Sequence, residues 1–175
     1  MKENTRESGM SLIELMVALM VGAVVLSILV LIFSNGLTAQ RRASERNAAT
    51  ELLNSATASV TESIRASVDT RVTESGQRLD AKVLDSDGTT WECRAWQIQG
   101  GQLVFSAGAS AQPAVSSTWK SLAPGVAGNL TAGASFVKTG SQVSVGLTLT
   151  RGEAIVRVTD GAVSLVVQSG GPSCW

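Results

Sequence analysis

Ser117-Thr118-Trp119-Lys120 and Lys138-Thr139-Gly140 have the types and spacing of a serine nucleophile with a lysine base and of the lysine-threonine-glycine segment that accompanies it in some acyl-transferring enzymes. That chemistry needs a Ser-Asp-Asn segment between the two and a far larger domain, whereas Ser86-Asp87-Gly88 precedes both and ends in the wrong residue. Asp85-Ser86-Asp87-Gly88 followed by Glu92 offers the oxygen ligands of a calcium loop. The calcium-loop order, however, puts glycine sixth and its glutamate further on, so a hairpin turn fits better. Histidine and tyrosine are absent, which excludes Ser-His-Asp and Cys-His catalysis, His-ligated metals and tyrosine acid-base chemistry. These residues predict a protein that is not an enzyme, with no catalytic residue, no cofactor and no metal site.

The elements that would position such residues point elsewhere. Residues 15–33 form a run of 19 without a charge, close to the ~20 that cross a bilayer core as a helix. Thirteen of the 19 are Leu, Ile, Val or Phe. At about −0.3 to −0.6 kcal/mol each they outweigh the roughly +2.5 to +3.5 kcal/mol of Glu14, the acid at the edge of the run. A cleaved secretory signal is the competing reading, but its apolar region is usually ~7 to 15 residues and Leu37-Thr38-Ala39 is a poor cleavage site. Orientation does not follow from charge, because Lys2 and Arg6 are offset by Glu3 and Glu7 while Arg41, Arg42 and Arg46 follow the span. With 14 basic and 14 acidic residues the chain has no net charge, so no nucleic acid is indicated and proteins are the expected partners. Cys93 and Cys174 both follow the apolar run; if that part is exported they can pair with each other, and otherwise remain two buried thiols.

Beyond the span no proline occurs before Pro113, and Leu53, Ala56, Val60, Ile64 and Val68 recur at three- and four-residue spacing. The spacing predicts that the helix continues to about Val68 with one apolar stripe, unless it breaks near Ser34-Asn35-Gly36, where Gly36 costs about 1 kcal/mol. Arg46, Glu51, Glu62 and Arg65 fall on the solvent side. From about Leu79 the pattern changes to short apolar runs between Gly, Asp and Ser, the mark of strands and turns. Residues 82–84, 91–99 and 102–106 read as a three-strand meander around Asp85-Ser86-Asp87-Gly88 and Gly100-Gly101. Val143, Val145, Leu147 and Leu149 alternate, followed by residues 154–159 and 162–168 around an Asp160-Gly161 turn. Residues 107–117 read as a loop, the place for disorder or for a crossover between the two strand groups, Asn129-Leu130-Thr131 as a glycosylation sequon only in a cell equipped for it, and the four tryptophans mostly as core. The fold class is α+β, a long N-terminal helix packed on an antiparallel sheet.

The stretch Glu7-Ser8-Gly9-Met10-Ser11-Leu12-Ile13-Glu14-Leu15-Met16-Val17 closely resembles the processing and assembly signal of type IV prepilins and type II secretion pseudopilins. The resemblance implies a leader ending at Gly9, cut by a prepilin peptidase on the cytoplasmic face, and a new methylated N-terminus at Met10. It also implies that Glu14 serves assembly, because a carboxylate near hydrocarbon needs a cation and the new amine of a neighbouring subunit supplies one. Met10 stands where phenylalanine is usual, and the span lacks the proline of many major pilins, so the chain looks more like minor pilins and J-type pseudopilins. Many pilins also fasten their C-terminal region with a disulfide. The implied plan is a leader at 1–9, a membrane and filament-core helix at 10–33, an amphipathic helix extension at 34–75 and a β-rich head at 76–175. Its implied partners are the prepilin peptidase, other pilin subunits and the membrane before assembly, with an extracytoplasmic head and a surface filament as destination. A pseudopilin of a secretion system and a membrane-anchored extracellular binding domain are the alternatives.

Overall fold

The computed structural model describes residues 11–84, 88–166 and 170–175. The chain divides into two compact units, residues 1–43 and 44–175. The first consists, where described, of one helix. That helix, α1 (Leu12–Arg65, 54 residues), continues into the second unit and runs unbroken through Gly22 and Gly36, so no break occurs at Ser34-Asn35-Gly36. The amides of Glu14 and Leu15 donate to the Ser11 carbonyl, and Glu14 in the first turn opposes the positive end of the helix dipole. Every side chain over residues 12–33 is exposed, and Ser27 returns its hydroxyl to the Ala23 carbonyl at 2.8 Å. That bond leaves no polar hydrogen unsatisfied in an otherwise apolar segment.

In the second unit α1 changes character. Ala49, Leu53, Ala56, Val60 and Ile64 are buried along one stripe while Arg46, Glu51, Glu62 and Arg65 stay exposed. The helix ends at Arg65, short of the expected Val68 and well short of residue 75. The Ser67 hydroxyl donates to the Ile64 carbonyl at 2.6 Å, taking one of the carbonyls a helix end leaves open. The next seven residues are rich in β-branched types and form β1 (Ser67–Thr73). The sheet region therefore starts about ten residues earlier than the sequence pattern suggested, and residues 44–65 of the helix belong to the same compact unit as the strands.

Five strands form the first sheet in the order β1, β2 (Arg78–Leu84), β3 (Trp91–Gln99), β4 (Gln102–Gly108) and β5 (Lys120–Pro124), all antiparallel. The expected meander of three is thus its centre. Leu84 faces Trp91 across the β2–β3 turn, of which residues 85–87 lie outside the described residues. Gly100 and Gly101, both at positive φ, close the β3–β4 hairpin. Residues 109–119 do not cross to the other strands; they return as β5 to the edge of β4, and the passage to the second sheet occurs at Gly125.

The second sheet is built on β8 (Gln142–Arg151). Along one side lies β9 (Ala154–Val163); along the other β6 (Val126–Gly128) and β7 (Phe136–Thr139) follow one another end to end. Asp160-Gly161 is no turn: Asp160 faces Val145 and Gly161 faces Ser144 within the ladder. The reversal falls instead at Gly152, whose φ of 58° suits the left-handed turn, and ten-residue β8 then supports β9 along its whole length. The described part of the tail after Val163 is not strand.

One apolar core joins these layers. The α1 stripe meets Leu79, Ala81, Val83, Trp96 and Leu103 of the first sheet and Phe136, Val143, Val145, Leu147 and Leu149 of the second. Each fully buried large side chain contributes about 1.5–3 kcal/mol. A left-handed turn at Glu74-Ser75-Gly76 couples the sheets, since the Gly76 carbonyl accepts from the Ser135 amide at 3.0 Å and Gln77 Nε2 donates to the Gly133 carbonyl at 2.8 Å. Gly76 has φ 84°, and a Cβ there would sit 2.6 Å from the Ala134 Cβ and 2.7 Å from the Phe136 carbonyl oxygen. Gly76→Ala should therefore lower unfolding free energy by about 2–4 kcal/mol. Ser75→Gly, which relieves an exposed left-handed residue with φ 54°, should raise it by about 1 kcal/mol. Urea titration of both variants reads the two signs, and equal, near-zero changes would refute this account of the turn.

Candidate functional site

The residues singled out by sequence fall into separate places. Gly9 and Met10 lie outside the described residues. Glu14 sits exposed in the first turn of α1, followed by the exposed apolar side chains of residues 15–33. The segment has a mean hydropathy of 3.1 over its best 18 residues and is long and apolar enough to cross a membrane. A helix apolar on all sides has no face to offer water. Only lipid or other apolar helices satisfy it, and a carboxylate at its rim is then a charge in search of a partner.

In the second unit, strand register sorts the polar residues by face. Arg71, Arg78, Asp80, Lys82, Trp91, Cys93 and Gln97 share the face of the first sheet opposite to the core residues Leu79, Ala81, Val83 and Trp96. Two pieces of chain lie on it. Loop 109–119 is held by Arg78, whose guanidinium donates to the Gln112 carbonyl at 2.8 Å and the Pro113 carbonyl at 3.2 Å and stands 5.4 Å from the Trp119 ring. The same guanidinium forks onto Asp80 at 2.8 and 3.0 Å; Asp80 is 2% exposed. The C-terminal residues are held by the Cys93–Cys174 disulfide, with a Cα separation of 5.4 Å across 81 positions. Trp175 stacks under Arg71 at 5.5 Å, and Gly171, at φ 82°, lies so near Trp91 that a Cβ would come within 2.5 Å of its ring.

Spacing alone would have revealed the Arg78–Asp80 pair, because residues two apart on a strand share a face. The tail's path depended on pairing Cys93 with Cys174 and was not readable from local pattern. Trp96 and Trp119 are buried, whereas Trp91 and Trp175 are partly exposed and face Lys82 and Arg71. Described residues of the enzyme-like motifs, and Glu92 beside them, are engaged in structural contacts. Trp119 is packed beneath Arg78, Lys138 donates to Asp69 at 3.1 Å and to the Thr70 carbonyl, and Glu92 accepts from Arg94 at 2.6 Å. Arg94 also reaches Ser63 of α1 at 2.9 Å, a polar tie on the inner face. Among the described residues no group of three or more Cys, Asp or Glu side chains is placed to hold a metal.

Comparison with known proteins assigns the N-terminal segment: residues 4–30 match the prokaryotic N-terminal methylation motif, the type IV prepilin signal. No curated protein and no solved structure gives a match to the chain.

Arg78→Met should cost about 3–5 kcal/mol, because it leaves the buried Asp80 carboxylate to the more distant Arg71, 3.9 Å away, and frees the loop. The double variant Arg78→Met/Asp80→Leu should cost less than the sum of the single changes. Cys174→Ser should cost about 2–4 kcal/mol through release of the chain end. Urea unfolding of the four variants against the parent checks all of these, and strict additivity of the Arg78 and Asp80 changes would contradict the clamp.

Proposed function

We propose that this chain, bearing the methylation motif of type IV prepilins, is a minor pilin: a structural subunit that enters a type IV pilus or related filament and helps initiate or modulate its assembly. The observation that carries the reading is the coincidence of that motif at residues 4–30 with a lone acid, Glu14, at the start of a helix exposed and apolar over the following 19 residues. Cleavage behind Gly9 by prepilin peptidase leaves a new amine on Met10. That amine lies four residues from Glu14 in its own chain and, in a filament, near the Glu14 of an adjacent subunit. The pair converts the cost of a carboxylate near hydrocarbon into a contact that sets register. The apolar run first inserts in the cytoplasmic membrane, with the β-rich head on the extracytoplasmic side, and later exchanges lipid for other helices. The disulfide fits this location, because such bonds persist in oxidising compartments. A pseudopilin of a type II secretion system is the second reading; it uses the same motif and predicts the same processing.

Gly9→Val should block trimming and leave the precursor in the membrane, as seen by intact mass beside the parent chain; equal trimming of both would remove Gly9 as the cleavage determinant. Glu14→Gln keeps size and eases insertion, since a neutral amide is cheaper in hydrocarbon than a carboxylate. It should be trimmed normally yet fall by about tenfold or more in sheared filament fractions relative to membranes, the loss expected when a desolvated charge pair is broken. Undiminished incorporation would mean that Glu14 only reaches back to the interface.

A further inference from the structure

Among the described residues, strand β9 pairs with a strand, β8, on one side only. The Ser164 amide donates to the Ser141 carbonyl at 3.4 Å, continuing the β8–β9 ladder. Even-numbered residues therefore turn their amides and carbonyls to β8, and Ile155, Arg157, Thr159, Gly161 and Val163 turn theirs the other way. The next odd residue, Leu165, already donates in that direction, to the Arg65 carbonyl at 3.1 Å. The Gly161 amide is taken by the Asp160 carboxylate at 2.7 Å. Ile155, Arg157 and Thr159 have no partner for their outward backbone groups among the described residues.

Of the usual protections of an edge, this stretch has the single charge of Arg157. It contains no proline and no lysine, four of its five residues (Ile155, Val156, Val158 and Thr159) are β-branched, and Ile155 is 55% exposed. An edge of this kind is a template for another strand.

Register identifies the chemistry of what would add. The outer face along this edge presents Thr148 and Thr150 from β8 and Ile155, Arg157, Thr159 and Val163 from β9. It holds one base and no acid, and Arg157 has no acidic partner among the described residues. A second copy of β9 would not supply one. Two-fold antiparallel pairing sets odd residues opposite odd ones, so Arg157 would face Arg157, Thr159, Gly161 or Ile155 according to register, and the register centred on Ile155 would bring it only to Glu153, which lies in the β8–β9 turn and not on the strand.

We propose that the 155–159 edge is a strand-addition site for an extended segment of another protein, apolar opposite Ile155 and acidic opposite Arg157. Backbone bonds to residues 155, 157 and 159 give the affinity, and the Arg157 pair gives the register.

The test uses the full chain in detergent micelles. The probe is a fluorescent, end-blocked peptide of about nine residues, with valines on one face and a single glutamate flanked by valines on the other. A peptide with lysine for glutamate is its control. The glutamate peptide should bind about tenfold more tightly than the lysine peptide, and Arg157→Glu should reverse that order. Thr159→Pro removes the outward amide, together with the long bond from Asn129 Nδ2 to the Thr159 hydroxyl, leaves the β8 ladder intact and should weaken binding by about tenfold. The amides of Ile155, Arg157 and Thr159 should gain hydrogen-exchange protection when the peptide is added. Absent binding at millimolar peptide, equal binding of the two peptides, or protection of those amides before addition would overturn the proposal. So would dimerisation by light scattering that Thr159→Pro abolishes, which would assign the edge to a second copy.

Discussion

One helix carrying two kinds of apolar surface is the constraint on which the rest depends. Over residues 15–33 the apolar side chains occupy every direction, and over residues 49–64 they occupy a single stripe. No water-facing arrangement satisfies the first pattern, and no lipid-facing arrangement satisfies the second, whose opposite side bears Arg46, Glu51, Glu62 and Arg65. The same secondary structure is therefore committed to two solvents, and the change lies in sequence pattern rather than in any break of the backbone.

The stripe dictates the architecture of residues 44–175. Two antiparallel sheets supply the apolar faces that cover it, with Trp96 and Phe136 as the largest fully buried contributions. Each sheet then has a second face to account for. The first sheet covers its own with loop 109–119 and the C-terminal residues, fastened by Arg78 and by the Cys93–Cys174 bond. Among the described residues, the second leaves the outer side chains of Ile155, Arg157, Thr159 and Val163 exposed, together with the short edge at residues 155–159. Burial of the Arg78–Asp80 pair is sustained because the guanidinium also answers two loop carbonyls, so few of its donors are left without an acceptor.

Much of this was legible before any coordinates. Hydropathy and the three-four spacing of Leu53, Ala56, Val60 and Ile64 gave the helix and its buried side, and glycine pairs at 100–101 gave a hairpin. The misreadings share a cause: local signals were outweighed by long-range pairing. Val68 continued the helical spacing, yet the residues after it found β2 as a partner. Asp160-Gly161 has turn chemistry, yet ten residues of β8 held it straight. Residues 107–117 had the composition of a crossover, yet the next strand bonded back to β4. The Arg78–Asp80 pair is legible as two neighbours on one face of a strand, but the loop Arg78 clamps is not, because the carbonyls it holds lie 34 and 35 positions away. Of the N-terminal signal, the motif itself was fully readable, because it is a linear pattern and depends on no tertiary contact.

Maturation at Gly9 into a filament subunit, as proposed, is read most directly from the N-terminus of the wild-type protein recovered from surface filaments and from membranes. Mass spectrometry of the terminal peptide should find the chain starting at Met10 with a methylated amine in the filament fraction, and a fraction still carrying the leader only in membranes. A chain that starts at Met1 or Lys2 in every fraction, or after about Ala39, would contradict it, the first marking a simple anchored protein and the second a secreted one.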